Sequence, residues 1–71
     1  MSNPQTARLS YGDLIRLKRC LEVEGEYAPV VLGWPRTTLE RAADGLDLRA
    51  STVVSLRTAL DEWEHPRGGA A

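Results

Sequence analysis

The sequence has little of what a disulfide-stabilised, metal-binding or membrane-spanning protein needs. Its 71 residues include one cysteine, Cys20, and one histidine, His65, too few for an internal disulfide or for the usual ligand set of a zinc site. No apolar run approaches the roughly 20 residues of a transmembrane helix, and the first residues lack the basic and then apolar pattern of a signal peptide. We therefore expect a cytoplasmic protein with no metal, no cofactor and no membrane partner.

Candidate catalytic groups are also scarce. His65 stands beside Pro66, Cys20 falls on the flank of an apolar helical stripe, and no glycine-rich phosphate-binding loop follows a strand-like segment. The carboxylates are interspersed with basic residues, as is typical of a solvated surface. We expect the protein not to be an enzyme, and no small-molecule effector site is evident.

Excess positive charge, the usual electrostatic sign of a nucleic-acid-binding protein, is missing as well. Nine lysines and arginines stand against ten aspartates and glutamates, which gives a formal net charge of −1. Three of the carboxylates, Asp61, Glu62 and Glu64, cluster near the C-terminal end of the sequence. Binding to DNA would therefore have to depend on the local placement of a few arginines rather than on the overall field.

What the sequence does contain is helical periodicity. Leu14, Leu17 and Leu21 fall on one stripe, and Ser10 precedes Asp13 at the spacing of a capping box. This pattern predicts a first helix over about 11–23, closed by Gly25. A last helix over about 51–64 is predicted by apolar residues at spacings of three, four and three: Val53, Leu56, Leu60 and Trp63.

Two shorter helices are predicted between them. Pro29 is tolerated in a first helical turn, which predicts a helix over about 27–32. A third helix over about 36–44 begins either with Pro35 in its first turn or with Thr37 as its cap, and it ends at Gly45. The predicted fold is an all-α, compact four-helix domain over 10–64, with a flexible N-terminal arm over 1–9 and a disordered tail over 65–71.

The second and third predicted helices have the pattern of a helix-turn-helix unit. The ninth position of such a unit is commonly glycine, because the turn needs a left-handed backbone. With Gly33 in that place, the positions that pack the two helices together are all apolar: Leu32, Trp34, Leu39 and Ala42. The fifth position, where a small residue lets the helices approach, falls on Pro29.

The outer side of the third predicted helix carries arginine and threonine, side chains suited to a DNA major groove. Arg36 and Arg41 are candidates for contacts with bases or phosphates. Of Thr37 and Thr38, one can cap the helix while the other contacts the backbone or a base. Ahead of the last helix, Arg49 and Ser51 can hold a phosphate at the helix N-terminus, although Ser51 is equally interpretable as a simple cap.

These motifs resemble those of small bacterial helix-turn-helix regulators of the lambda-repressor-like (Cro and XRE) class. The resemblance covers about residues 10–64 and rests on a few short motifs: Leu32-Gly33 through Thr38-Leu39, Gly45-Leu46, Arg49 and Thr52. It implies a repressor from a bacterium, phage or plasmid that binds a palindromic operator as a homodimer. The chain differs from the family pattern at Pro29, at Trp34 and in its lack of net positive charge.

A subunit contact is the remaining question. Trp63 is interpretable either as a dimer contact or as ordinary core, and Val54, which lies off the apolar stripe, suggests a second apolar surface. The alternative function is a protein-interaction module, such as an antitoxin or a phage accessory factor, that uses the Val54 and Trp63 surface and binds DNA weakly or not at all.

Overall fold

A computed structural model describes residues 5–66 of the chain, which are mostly helical. The elements, in chain order, are β1 (Thr6–Ala7), α1 (Tyr11–Glu24), a 3₁₀-helix (Gly25–Tyr27), α2 (Ala28–Leu32), α3 (Arg36–Ala43), β2 (Leu48–Arg49) and α4 (Ala50–Glu64). Each α-helix begins and ends within one residue of its predicted bounds. The predicted second helix loses its first residue, Tyr27, to the 3₁₀-helix.

Local signals explain where α1 starts and stops. The Ser10 hydroxyl oxygen accepts a hydrogen bond from the backbone N–H of Asp13 at 3.2 Å, as an N-cap does. At the other end Gly25 has a φ of 59° and donates its N–H to the carbonyl of Leu21. Both expected boundaries of this helix are therefore confirmed.

The turn between α2 and α3 depends on Gly33, whose φ of 75° places it in the left-handed region. The N–H groups of Gly33 and Trp34 both donate to the carbonyl of Pro29, at 2.8 and 3.2 Å. These bonds satisfy a carbonyl that the end of α2 would otherwise leave free. The expected left-handed glycine is present, and α3 begins three residues later.

The core joins all four α-helices. Leu17, Leu39, Leu56 and Leu60 are fully buried, and so is Cys20. Burial raises the pKa of the Cys20 thiol to about 11, with a smaller contribution from the charge of Glu24. Ala28 and Ala42 are enclosed to the same degree, and the core is completed by four residues that are 5–8% exposed: Leu9, Leu32, Leu48 and Val53.

A two-stranded sheet corrects the all-α prediction. β1 pairs antiparallel with β2, so that Thr6 lies opposite Arg49 and Ala7 opposite Leu48. The backbone N–H of Ala50 also donates to the carbonyl of Gln5 at 2.8 Å. The chain around residues 5–9 is thus tied to the start of α4.

The prediction of a flexible arm over 1–9 is accordingly wrong for residues 5–9, where Leu9 is buried in the core. Residues 1–4 lie outside the described residues, as do residues 67–71 of the predicted tail. At the start of that tail, His65 still donates its backbone N–H to the carbonyl of Asp61 at 2.8 Å.

An ion cluster connects α1 to α4. The Asp13 carboxylate accepts hydrogen bonds from Arg16 and Arg57, both at 2.9 Å, and Arg16 also pairs with Asp61 and Glu64. Burial of Asp13 would raise its pKa, but hydrogen bonds with Arg57, Ser10 and Arg16 outweigh this effect and hold the pKa below its ordinary value. In the same cluster, the hydrogen bond to Asp61 raises the pKa of Arg16 above its ordinary value. These charges serve to hold two helices together.

Among residues 5–66, no helix is long and apolar enough to cross a membrane.

Candidate nucleic-acid interface

The two sides of α3 differ sharply in burial. Leu39 and Ala42 face the core with exposed fractions of 0% and 1%. Arg36, Thr37 and Arg41 are exposed to solvent. The burial therefore agrees with the outward placement expected for these three side chains.

Thr38 is the exception among the four candidates on α3, because it is half-buried. It also does not cap the helix, and neither does Thr37. The N-cap is Pro35, which is extended and provides no side-chain hydrogen bond. The capping role expected for one of the threonines is therefore wrong, because the helix begins at Arg36, before either of them.

The start of α3 has consequences for its electrostatics. The first N–H groups of a helix have no partner within the helix, and no side chain caps them here. They lie at the positive end of the helix dipole, where a negatively charged group is favoured. The exposed hydroxyl of Thr37 lies in this first turn, so the turn can donate hydrogen bonds to an anion.

Arg36 and Arg41 are held differently. The guanidinium of Arg36 donates to the carbonyl of Gly25 at 3.2 Å, which connects α3 to the end of α1. Arg41 has no side-chain hydrogen bond or ion pair with any residue in the range 5–66. Its guanidinium is therefore available to a ligand without breaking an internal contact.

The second predicted contact region lies at the start of α4. Arg49 is the N-cap residue, is exposed and provides no side-chain cap, and the helix begins at Ala50. Ser51 is thus the second helical residue, and its interpretation as the cap is wrong. Arg49 and Ser51 line one open depression of about 470 Å³ together with Gln5, Thr6 and Ala50. The structure brings these two candidates together, as a phosphate contact would require.

The proposed dimer residues do not share a surface. Val54 and Trp63 are nine positions apart on α4, which at 3.6 residues per turn puts them on opposite sides of the helix. Val54 is 59% exposed. Trp63 is half-buried against the core, and its indole N–H donates to the Glu24 carboxylate at 2.8 Å. The expectation of a single interface containing both residues is therefore wrong.

An apolar groove between α2 and α4 was not predicted. It has a volume of about 390 Å³, and Val30, Val31 and Trp63 are among its lining residues. Val30 is 80% exposed, the highest value among the large hydrophobic residues that are exposed in the described part of the chain. The sequence signal for this groove is the pair Val30-Val31. Two adjacent valines are equally compatible with a strand and with a helix.

A metal centre finds no support in the part of the chain that the structure covers, since no three His, Cys, Asp or Glu side chains are grouped closely enough to hold an ion there. The only cysteine is buried.

No protein-family model, no curated protein and no solved structure shows a significant match to this chain.

Proposed function

We propose that this protein is a sequence-specific DNA-binding transcriptional repressor of the lambda-repressor-like class, in which α2, the Gly33 turn and α3 act as a helix-turn-helix. One observation carries the proposal. Directly after a left-handed turn, α3 buries Leu39 and Ala42 and exposes Arg36, Thr37 and Arg41. A short helix with this division of side chains is suited to entering a major groove.

The contacts can be divided by what each side chain offers. Arg41 is free to make a bidentate contact with guanine or to pair with a phosphate. Arg36 contacts a phosphate or base near the start of α3, either alongside or in exchange for its bond to Gly25. Thr37 contacts a base or the DNA backbone. Thr38 is half-buried, so less of its side chain can reach the DNA. These assignments spread the DNA contacts over the whole of α3, from Arg36 in its first turn to Arg41 in its last.

Phosphate contacts come from a second element. Arg49 and Ser51 line the same depression at the N-terminus of α4, where backbone N–H groups and the helix dipole favour an anion. Contacts of this kind fix the orientation of a protein on the duplex and carry no sequence information.

Binding as a homodimer in the cytoplasm completes the proposal. Two copies would occupy half-sites about one DNA turn apart on a palindromic operator, and repression would follow from blocking polymerase, without an effector. Because Val54 and Trp63 lie on opposite sides of α4, a dimer would use one or the other of these residues and not both.

Selection from random duplex DNA with the purified protein tests this function. At low salt we expect enrichment of a palindromic consensus, with affinity for it falling steeply as salt rises because phosphate contacts release counterions. Absence of any enriched sequence at low salt would count against DNA binding by this chain.

A second candidate function is a protein-interaction module with weak or no DNA binding, as in an antitoxin or a phage accessory factor. It is favoured by the net charge of −1 and by the exposed carboxylates of Glu40 and Asp44 on and beside α3, which oppose the approach of DNA. Binding of a partner through apolar contacts would show little dependence on salt, which distinguishes the two candidates.

A further inference from the structure

We propose that the groove between α2 and the C-terminal half of α4 binds a basic segment of a partner protein, one that inserts apolar side chains and carries lysine or arginine around them. The groove uses none of the residues assigned to DNA. The inference therefore gives the second candidate function a surface and a partner chemistry, and it also holds if the protein binds DNA.

The walls of the groove are apolar and only partly covered by the protein's own chain. Val30 and Val31 of α2 are 80% and 42% exposed. Ala59 and Trp63 of α4 form the other wall, and Pro66 lies at its end. The space of about 390 Å³ is large enough for one or two aliphatic side chains. Two exposed valines beside an aromatic side chain leave apolar surface that a bound partner would cover.

Trp63 gives the groove a fixed wall. Its indole N–H is already bonded to the Glu24 carboxylate at 2.8 Å, and the rest of the side chain packs on the core. What the tryptophan still offers to a ligand is apolar ring surface. An anchored aromatic residue loses little conformational entropy on binding, which favours its use as a contact.

The charges around the groove determine what the partner carries. Glu62 lines the groove, and Glu24 adjoins Trp63 in its wall. No basic residue among those described lines it. The arginines bonded to neighbouring segments are already engaged, Arg16 with Asp61 and Glu64 of α4 and Arg36 with the Gly25 carbonyl. Lysine or arginine beside the apolar anchor would therefore be attracted.

The same charges oppose two other occupants. A second copy of the chain packed symmetrically on this groove would bring two Glu62 side chains together, which disfavours association. A nucleic acid would be repelled by Glu62 and would find no basic side chain among the described residues that line the groove. A basic, apolar peptide segment satisfies both features of the site.

Selection from a phage-displayed library of random peptides roughly 12 residues long, enough for three helical turns, tests the proposal with the full chain as bait. We expect enriched peptides with one or two apolar anchors and several lysines or arginines. A Val30→Asp variant should lose their binding by about tenfold or more. Ile15→Asp is the matched control, because it adds the same charge at an exposed aliphatic residue of α1 that does not line the groove, and it should retain binding.

A charge change provides a second test. Glu62→Lys, at an exposed position, should weaken the binding of basic peptides and strengthen the binding of otherwise identical acidic peptides. The proposal is overturned if the enriched peptides are acidic or wholly polar, or if no peptide is enriched. It is also overturned if Val30→Asp binds the peptides as tightly as the parent, or if the chain self-associates and Val30→Asp abolishes that self-association. Arg41→Ala should leave peptide binding intact, so that failure of the DNA proposal and failure of this one are separable.

Discussion

Two pairs of arginines in this protein have opposite surroundings. Arg16 and Arg57 are bonded to Asp13, and Arg16 also to Asp61 and Glu64. Arg41, on α3, has no such partner within residues 5–66, and Arg36 has only a backbone carbonyl. The same residue type thus acts as an internal connector in one place and as an available ligand-binding group in the other. Function is to be sought where the charge is not already paired.

Removing the acidic centre of the paired region should have the largest effect on stability. Asp13→Ala leaves the guanidinium groups of Arg16 and Arg57 without their shared partner, and we expect a loss of about 2–3 kcal/mol in the free energy of unfolding. Urea denaturation measures it. Glu22→Ala, an exposed carboxylate on the same helix, is the control and should change stability by less than about 0.5 kcal/mol. Equal changes in the free energy of unfolding for the two variants would mean that the ion cluster does not stabilise the fold more than an exposed carboxylate does.

A smaller loss of stability is expected from a substitution at Gly33, in the turn that precedes α3. Gly33→Ala forces an L side chain into φ 75° with open space around the added Cβ, so the cost is that of the backbone alone, about 1–2 kcal/mol. Gly12→Ala, also in open space but within α1, should be neutral or stabilising by roughly 0.5–1 kcal/mol. Thermal unfolding followed by circular dichroism compares them. A tolerated Gly33→Ala would contradict the assigned turn.

Acid should weaken the paired region gradually. The pKa of Asp13 is lower in the folded protein than its ordinary value of 3.8, so the folded state binds the proton less tightly than the unfolded state. Its contribution is therefore complete above the ordinary pKa and is lost as the pH falls from there through the folded value. Unfolding curves of the parent and of Asp13→Asn between neutral pH and pH 2 should converge toward the acid end. Parallel curves would show that this carboxyl does not govern the acid response.

Much of the fold could be predicted because its signals are local. The stripe of Leu14, Leu17 and Leu21 and the glycines at 25 and 33 lie within a few residues of the boundaries that they determine. The burial of Leu39 and Ala42 follows from helical spacing alone. The exposure of Arg36, Thr37 and Arg41 also follows from helical spacing. This exposure is the part of the candidate site that could be predicted from the sequence.

The features that were missed depend on distant partners. β1 and β2 have two residues each, too few for any periodicity, and pair across about forty intervening residues. Asp13 has the spacing of a capping residue, yet its carboxylate binds Arg57, 44 positions away. Trp63 falls on the apolar stripe of α4, but the sequence could not show that it packs against the core and bonds to Glu24, 39 positions away. In each case the answer depends on contacts between residues that are far apart in the sequence.

The most direct test of the central claim is the affinity of Arg41→Ala for the duplex selected by the parent protein, measured at fixed salt beside Arg19→Ala. Arg19 is exposed on α1, so both variants remove one positive charge from the surface. We predict that Arg41→Ala loses about 1–3 kcal/mol of binding free energy and relaxes sequence preference at one position while the fold is retained, and that Arg19→Ala loses much less. Parent-like binding by Arg41→Ala, or an equal loss in both variants, would contradict the assignment of α3 to the major groove.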